Sequence, residues 1–235
     1  MGGGADRAYI AVNENPILPG LTDGSSQGHE QADSLIKTLR RFRQKRILEE
    51  KCELCGAGLS PSHRHLLEIF NSRIVCTCDP CAFRFQDVVA GRFKLIPRDV
   101  WRLPQLSLPD VEWENLALPI NLAFFFYSSA EKKTKALYPS PAGATESLLP
   151  LSAWNIMAER NPQLRAMQPD VEALLVNRVG TQRDYYVVPI DVCFELVGLI
   201  RSHWRGLSGG DAVWQQVDSF FARLSAKARS TPATS

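Results

Sequence analysis

The chain of 235 residues is 45% hydrophobic and 22% charged, the composition of a folded globular protein, which excludes disorder of the chain as a whole. Lys and Arg number 27 against 25 Asp and Glu, so the basic excess of a non-specific phosphate binder is missing and nucleic acid is an unfavoured partner. The longest apolar run, Leu116 to Tyr127, is broken by Pro119 and Asn121 and is too short for a membrane span. The residues after Met1 lack the apolar core of a secretory signal, and a soluble cytoplasmic protein is expected.

In chain order, residues 1–31 combine Gly2–Gly4, a Pro16/Pro19/Gly20 cluster and a Gly/Ser run without apolar period, which reads as a flexible tail. Residues 32–97 read as one region, a basic helix followed by a Cys-rich ribbon. Leu35, Ile36, Leu39, Phe42 and Ile47 recur near helical spacing, and Lys37 to Arg46 line the other faces. Phe93 to Ile96 reads as a strand closed by Pro97. Residues 98–228 read as an α+β domain, opening on a Pro- and Trp-rich connector (Trp101, Pro104, Pro109, Trp113, Pro119) expected to lie across a surface without regular structure.

Two strand–strand–helix units follow. Ile120 to Tyr127 and Thr134 to Tyr138 form the first strand pair; Pro139 to Ser147 reads as a loop, and a helix from a Ser152 cap ends at Asn161-Pro162. Val171 to Val179 and Tyr185 to Ile190 form the second pair, followed by helices over 191–204 and 211–226; residues 229–235 read as a second flexible tail. Strand pairs joined by hairpins and mixed with helices predict an α+β fold with antiparallel sheets.

The cysteines carry the chemistry. Cys52-Glu53-Leu54-Cys55 and Cys78-Asp79-Pro80-Cys81 are two Cys-x-x-Cys units, and each two-residue gap lets one tight turn aim two sulfurs at a single ion. Gly56, directly after the first unit, suits the close backbone approach that orients amides towards thiolates. Four thiolates suit zinc, or alternatively iron in a rubredoxin-like site. The ligand set read from spacing is Cys52, Cys55, Cys78 and Cys81. Three further donors are close in sequence: Cys76, which shares a strand face with Cys78 if both are extended, and His63 and His65, which do likewise. They are possible alternates for the same site, and the other reading of His63-Arg64-His65 is a surface turn with solvated imidazoles. Cys193 shares a helical stripe with Leu196, Val197 and Ile200 and reads as a core thiol. No local signature places a nucleophile beside a base. Cys193 and His203 on one helix stand about 80° and about 15 Å apart, so the chain reads as non-enzymatic.

Five stretches stand out together: Cys52-Glu53-Leu54-Cys55-Gly56, His63-Arg64-His65-Leu66, Leu137-Tyr138-Pro139-Ser140-Pro141-Ala142-Gly143-Ala144-Thr145-Glu146, Val171 to Arg178, and His203-Trp204-Arg205-Gly206-Leu207-Ser208-Gly209-Gly210. In these the chain resembles a family of uncharacterised bacterial proteins encoded near high-affinity, actinobacterial-type nickel–iron hydrogenases. The resemblance implies an accessory role in assembly, maturation or electron transfer, with hydrogenase subunits as the protein partner. Two alternatives stand beside it: a rubredoxin-like iron electron carrier, and a zinc-containing nucleic-acid-binding regulator suggested by the basic helix beside a zinc-type module.

Overall fold

The computed structural model describes residues 50–86, 91–147, 151–206 and 209–230. The expected N-terminal tail, the basic helix expected over 31–50 except its last residue, and residues 231–235 lie outside them; Glu50 itself is not helical. Among the described residues the fold is mixed α+β, with a small three-stranded sheet and a large seven-stranded one.

In the small sheet, β1 (Arg64–Glu68) pairs antiparallel with β2 (Arg73–Thr77) on one side and β3 (Phe93–Leu95) on the other. A 3₁₀ turn at Ile69–Asn71 closes the first hairpin, with Ser72 in the left-handed region. Helix α1 (Asp79–Phe85) follows β2 directly. Side chains alternate across a strand, so neighbours in β1 serve different cores. Leu66 joins Val75 and Phe93 in a small core of the sheet itself, whereas Leu67 joins the main core of the molecule.

The large sheet runs β10-β4-β9-β8-β5-β6-β7, built from β4 (Trp101–Arg102), β5 (Leu122–Ser128), β6 (Lys133–Ser140), β7 (Gly143–Ser147), β8 (Glu172–Asn177), β9 (Asp184–Pro189) and β10 (Arg229–Ser230). Every pair is antiparallel except β10 with β4. Central strand β8 is buried along its whole length, which explains its near-continuous apolar run. Its residues alternate between two cores. Ala173 and Leu175, with Phe124 and Tyr186, face helices α4 (Ile190–His203) and α5 (Asp211–Lys227). Leu174 and Val176, with Phe125 and Val187, face helix α3 (Leu151–Arg160).

Two sequence readings are corrected here. The Pro/Trp connector does not lie across the surface. Leu103, Leu106, Leu108, Trp113 and Leu116 are buried in the second core, Trp101–Arg102 add a strand to the sheet, and α2 (Asp110–Glu114) is a short helix. Its apolar residues follow no helix or strand period because the sheet beneath dictates their spacing. The stretch from Pro139 to Ser147 is not a loop. Ser140 and Gly143 face each other across a tight turn, and β7 pairs with β6 from there to Ala136↔Ser147. Gly143 supplies the positive φ (+124°) that the turn requires.

Candidate metal centre

The first Cys-x-x-Cys unit sits on a tight turn before β1. Gly56 N–H donates to the Cys52 carbonyl at 2.7 Å, with Gly56 at φ +78°, a conformation that favours glycine. Cys52 N–H donates to the Ala57 carbonyl, and Glu53 N–H donates to the Cys76 carbonyl at 3.0 Å, which lays the turn against β2. The second unit occupies the junction of β2 and α1. Cys78 is the N-cap, Pro80 falls in the first helical turn where its missing N–H costs nothing, and Cys81 follows one position later. Because β2 ends at Thr77, Cys78 is no longer a strand residue, and the shared strand face expected for Cys76 and Cys78 is not formed.

The ligand atoms of Cys52, Cys55, Cys78 and Cys81 all lie within 4.8 Å of one another, and the Cys55 and Cys78 sulfurs are 3.7 Å apart. Metal–sulfur bonds of about 2.3 Å in a regular tetrahedron put sulfurs about 3.8 Å apart, whereas a disulfide needs about 2.05 Å. All six cysteines are free thiols. The four therefore fit a single tetrahedral ion without being bridged to each other.

Their electrostatics agree with the geometry. Burial alone would raise the Cys52 thiol, but backbone N–H groups of Cys78, Leu54 and Cys55 directed at its sulfur outweigh that and bring it down to about 6. Cys55 accepts the Ala57 N–H, yet the neighbouring thiols of Cys52 and Cys78 push it up. Burial, then the crowding of Cys78, Cys55 and Cys52, holds Cys81 far above its ordinary range. Without a cation, backbone N–H groups lower Cys52 while neighbouring thiols hold Cys55 and Cys81 up. A divalent ion supplies the countercharge that lets all four deprotonate.

The remaining sequence candidates separate from this centre. His63, His65 and Cys76 form a group of their own, with donor atoms likewise within 4.8 Å of one another. His63 and His65 are not solvated imidazoles on a turn. Their side chains are 9% and 27% exposed, and their Nε2 atoms are 3.1 Å apart. Cys193 is fully buried, and desolvation raises its thiol well above the ordinary range, consistent with an inert core residue. His203 bonds to Ser202 and to the Leu199 carbonyl of its own helix turn.

Sequence reading missed three supporting groups. Glu53 accepts the Cys76 N–H at 2.8 Å and pairs with Arg73; it stands between two ligands but nothing in the spacing reveals its role. Asp191 reaches His65 from 126 positions away, and Glu50 approaches His63 at 3.4 Å. Only the tertiary fold brings these together.

Fold and centre define a mixed α+β protein with a Cys-rich module whose four clustered thiols could hold a metal ion. Residues 51–228, more than half of the chain, match the family described as "Family of unknown function (DUF5947)", and the chain belongs to that family. No curated protein and no solved structure matches it. Among the described residues no helix is long and apolar enough to cross a membrane.

Proposed function

We propose that the protein is a non-enzymatic, zinc-stapled accessory protein of the cytoplasm that binds a component of a nickel–iron hydrogenase during its assembly, maturation or electron transfer. The observation that carries the metal part is the convergence of four thiols at tetrahedral spacing. Zinc suits such a set because its filled d shell asks only for four donors. Its role is to order a ribbon whose own core has, among the described residues, three buried side chains, Leu66, Val75 and Phe93.

The binding part is supported by two aromatic side chains the module leaves in solvent. Phe70 is 80% exposed and Phe83 is 53% exposed, the latter with the Arg64 guanidinium 4.6 Å above its ring. Large exposed aromatics are over-represented where proteins meet. The choice of partner rests on the sequence resemblance alone. The test is affinity purification of the tagged chain from its native cell, with hydrogenase activity measured after deletion of its gene. Co-purified hydrogenase subunits and lowered activity are expected; neither appearing would refute the partner. Elemental analysis with an absorption spectrum decides the metal. A colourless protein with one zinc is expected, and a red protein with thiolate-to-iron bands would establish the electron-carrier alternative instead.

A further inference from the structure

We infer that His63, His65 and Cys76 form a second metal site, separate from the four-cysteine centre, which takes an exchangeable borderline divalent ion (zinc, cobalt or nickel) and leaves its fourth position open. The site goes beyond the reading above and stands on other residues.

The strand register builds it. His65 in β1 lies directly opposite Cys76 in β2, and directly opposed residues project from the same face with Cβ atoms about 4.5–5.5 Å apart. His63, two residues before His65, completes a three-donor set whose ligand atoms fall within 4.8 Å of one another. The 3.1 Å between the two Nε2 atoms is close to the separation of about 3.3 Å that two imidazoles at about 2.05 Å from a tetrahedral zinc must have.

Hydrogen bonding decides which nitrogens are available. His63 Nδ1 lies 3.0 Å from the Ser60 carbonyl oxygen, which can only accept, so the proton is on Nδ1. His65 Nδ1 lies 2.6 Å from the Asp191 carboxylate and donates in the same way. In the neutral rings both Nε2 atoms then carry lone pairs, and these are aimed at each other. Two facing lone pairs repel; a cation between them satisfies both and gains the Cys76 sulfur as a third donor. Orienting acceptors behind each imidazole are the usual surroundings of histidine ligands. A fixed backbone supports the sulfur as well, because Glu53 takes the Cys76 N–H while its own N–H binds the Cys76 carbonyl. Glu50, Glu53 and Asp191 add negative charge around the group. On ligation the Cys76 thiol releases its proton to solvent and the ion gains one thiolate and two neutral imidazoles, a set that suits borderline divalent ions. Three protein ligands with one position open is the arrangement of sites that exchange a ligand with solvent or substrate, in contrast to the closed four-thiolate centre.

The test is a Co²⁺ titration of the full-length chain after dialysis against a weak chelator that leaves only tightly held metal. The wild type is expected to bind one further equivalent, with a thiolate-to-cobalt band from a single sulfur. His63→Ala and Cys76→Ala should each weaken that binding at least about 100-fold while the chelator-resistant metal stays unchanged. Asp191→Asn, which preserves the shape of the side chain and removes its charge, should weaken it about 10- to 100-fold. It keeps the test decisive should either alanine variant fail to fold. Cys55→Ser should lose the resistant metal and still take up Co²⁺. If Cys55→Ser instead kept the resistant metal, the four-thiolate reading would fail while the His63 dependence still decided this site. No further Co²⁺ uptake by the wild type, or uptake with the same affinity in all three second-site variants, overturns the inference.

Discussion

Cys52→Ser is the sharpest single perturbation of the four-thiol centre. The residue is 2% exposed, and serine is nearly isosteric, so little packing is lost. What changes is the donor. Three backbone N–H groups hold the Cys52 thiol at about 6, so this sulfur is already a thiolate at neutral pH and meets an incoming ion without first shedding a proton. A serine hydroxyl stays protonated there. Structural zinc contributes about 10–16 kcal/mol in small folded peptides, and an equal share per ligand is about 3–4 kcal/mol, or roughly 10²–10³-fold in affinity. Competition against a chromophoric chelator measures that loss directly. Hydrogen exchange locates it: amides of the Cys52 turn and of the β2–α1 junction should lose protection, while β5, β8 and β9 keep theirs, since their cores contain no ligand cysteine. An affinity within tenfold of wild type would refute the assignment of Cys52 as a ligand. Global loss of protection would refute the claim that the ion orders the ribbon alone.

Three further expectations follow from the geometry. In the metal-free chain Cys52 is lowered from 9.0 to about 6, so its stabilising contribution is present above 9 and lost as pH falls through 6. Cys55 and Cys81 are raised, so theirs is lost above 9; thermal melts of chelator-treated protein should show a maximum near pH 9, and a monotonic profile would contradict the thiol crowding. Gly56→Ala forces a side chain into φ +78°, which should cost about 1–2 kcal/mol and weaken metal binding by roughly tenfold in the same chelator assay. Asp170 is buried, sits at φ +72°, binds Lys94 Nζ at 2.5 Å and accepts the Ser129 N–H. Asp170→Ala should therefore destabilise by about 2–3 kcal/mol in urea unfolding, from the left-handed backbone and the lost Ser129 acceptor, and Asp170→Asn, which keeps the N–H acceptor and tolerates the left-handed region, by distinctly less.

The two Cys-x-x-Cys units were legible because their spacing alone determines how two sulfurs can converge. So were the paired strands around Val171 and Tyr185, whose apolar runs and turn residues are local signals. The separation of His63, His65 and Cys76 into their own cluster was not legible. It depends on His65 facing Cys76 in the β1–β2 register, on β2 ending at Thr77, and on a carboxylate from the start of α4. Period-two spacing hinted at shared faces but could not tell that Cys78 leaves the strand to cap a helix. The Pro/Trp connector escaped for a different reason. Leu103, Leu106, Leu108, Trp113 and Leu116 are spaced to fit the sheet they cover, and no single element's period describes them.

The consecutive leucines of β1 bear on how this molecule can be taken apart. Leu66 seals the ribbon and Leu67 seals the neighbouring layer, so the strand acts as a wall with two occupied rooms. Excising the ribbon would bare greasy surface on what remained, and such a remnant would self-associate in water. The ribbon is not a cassette to be grafted onto another host; a useful fragment would have to begin ahead of Cys52 and keep the wall standing.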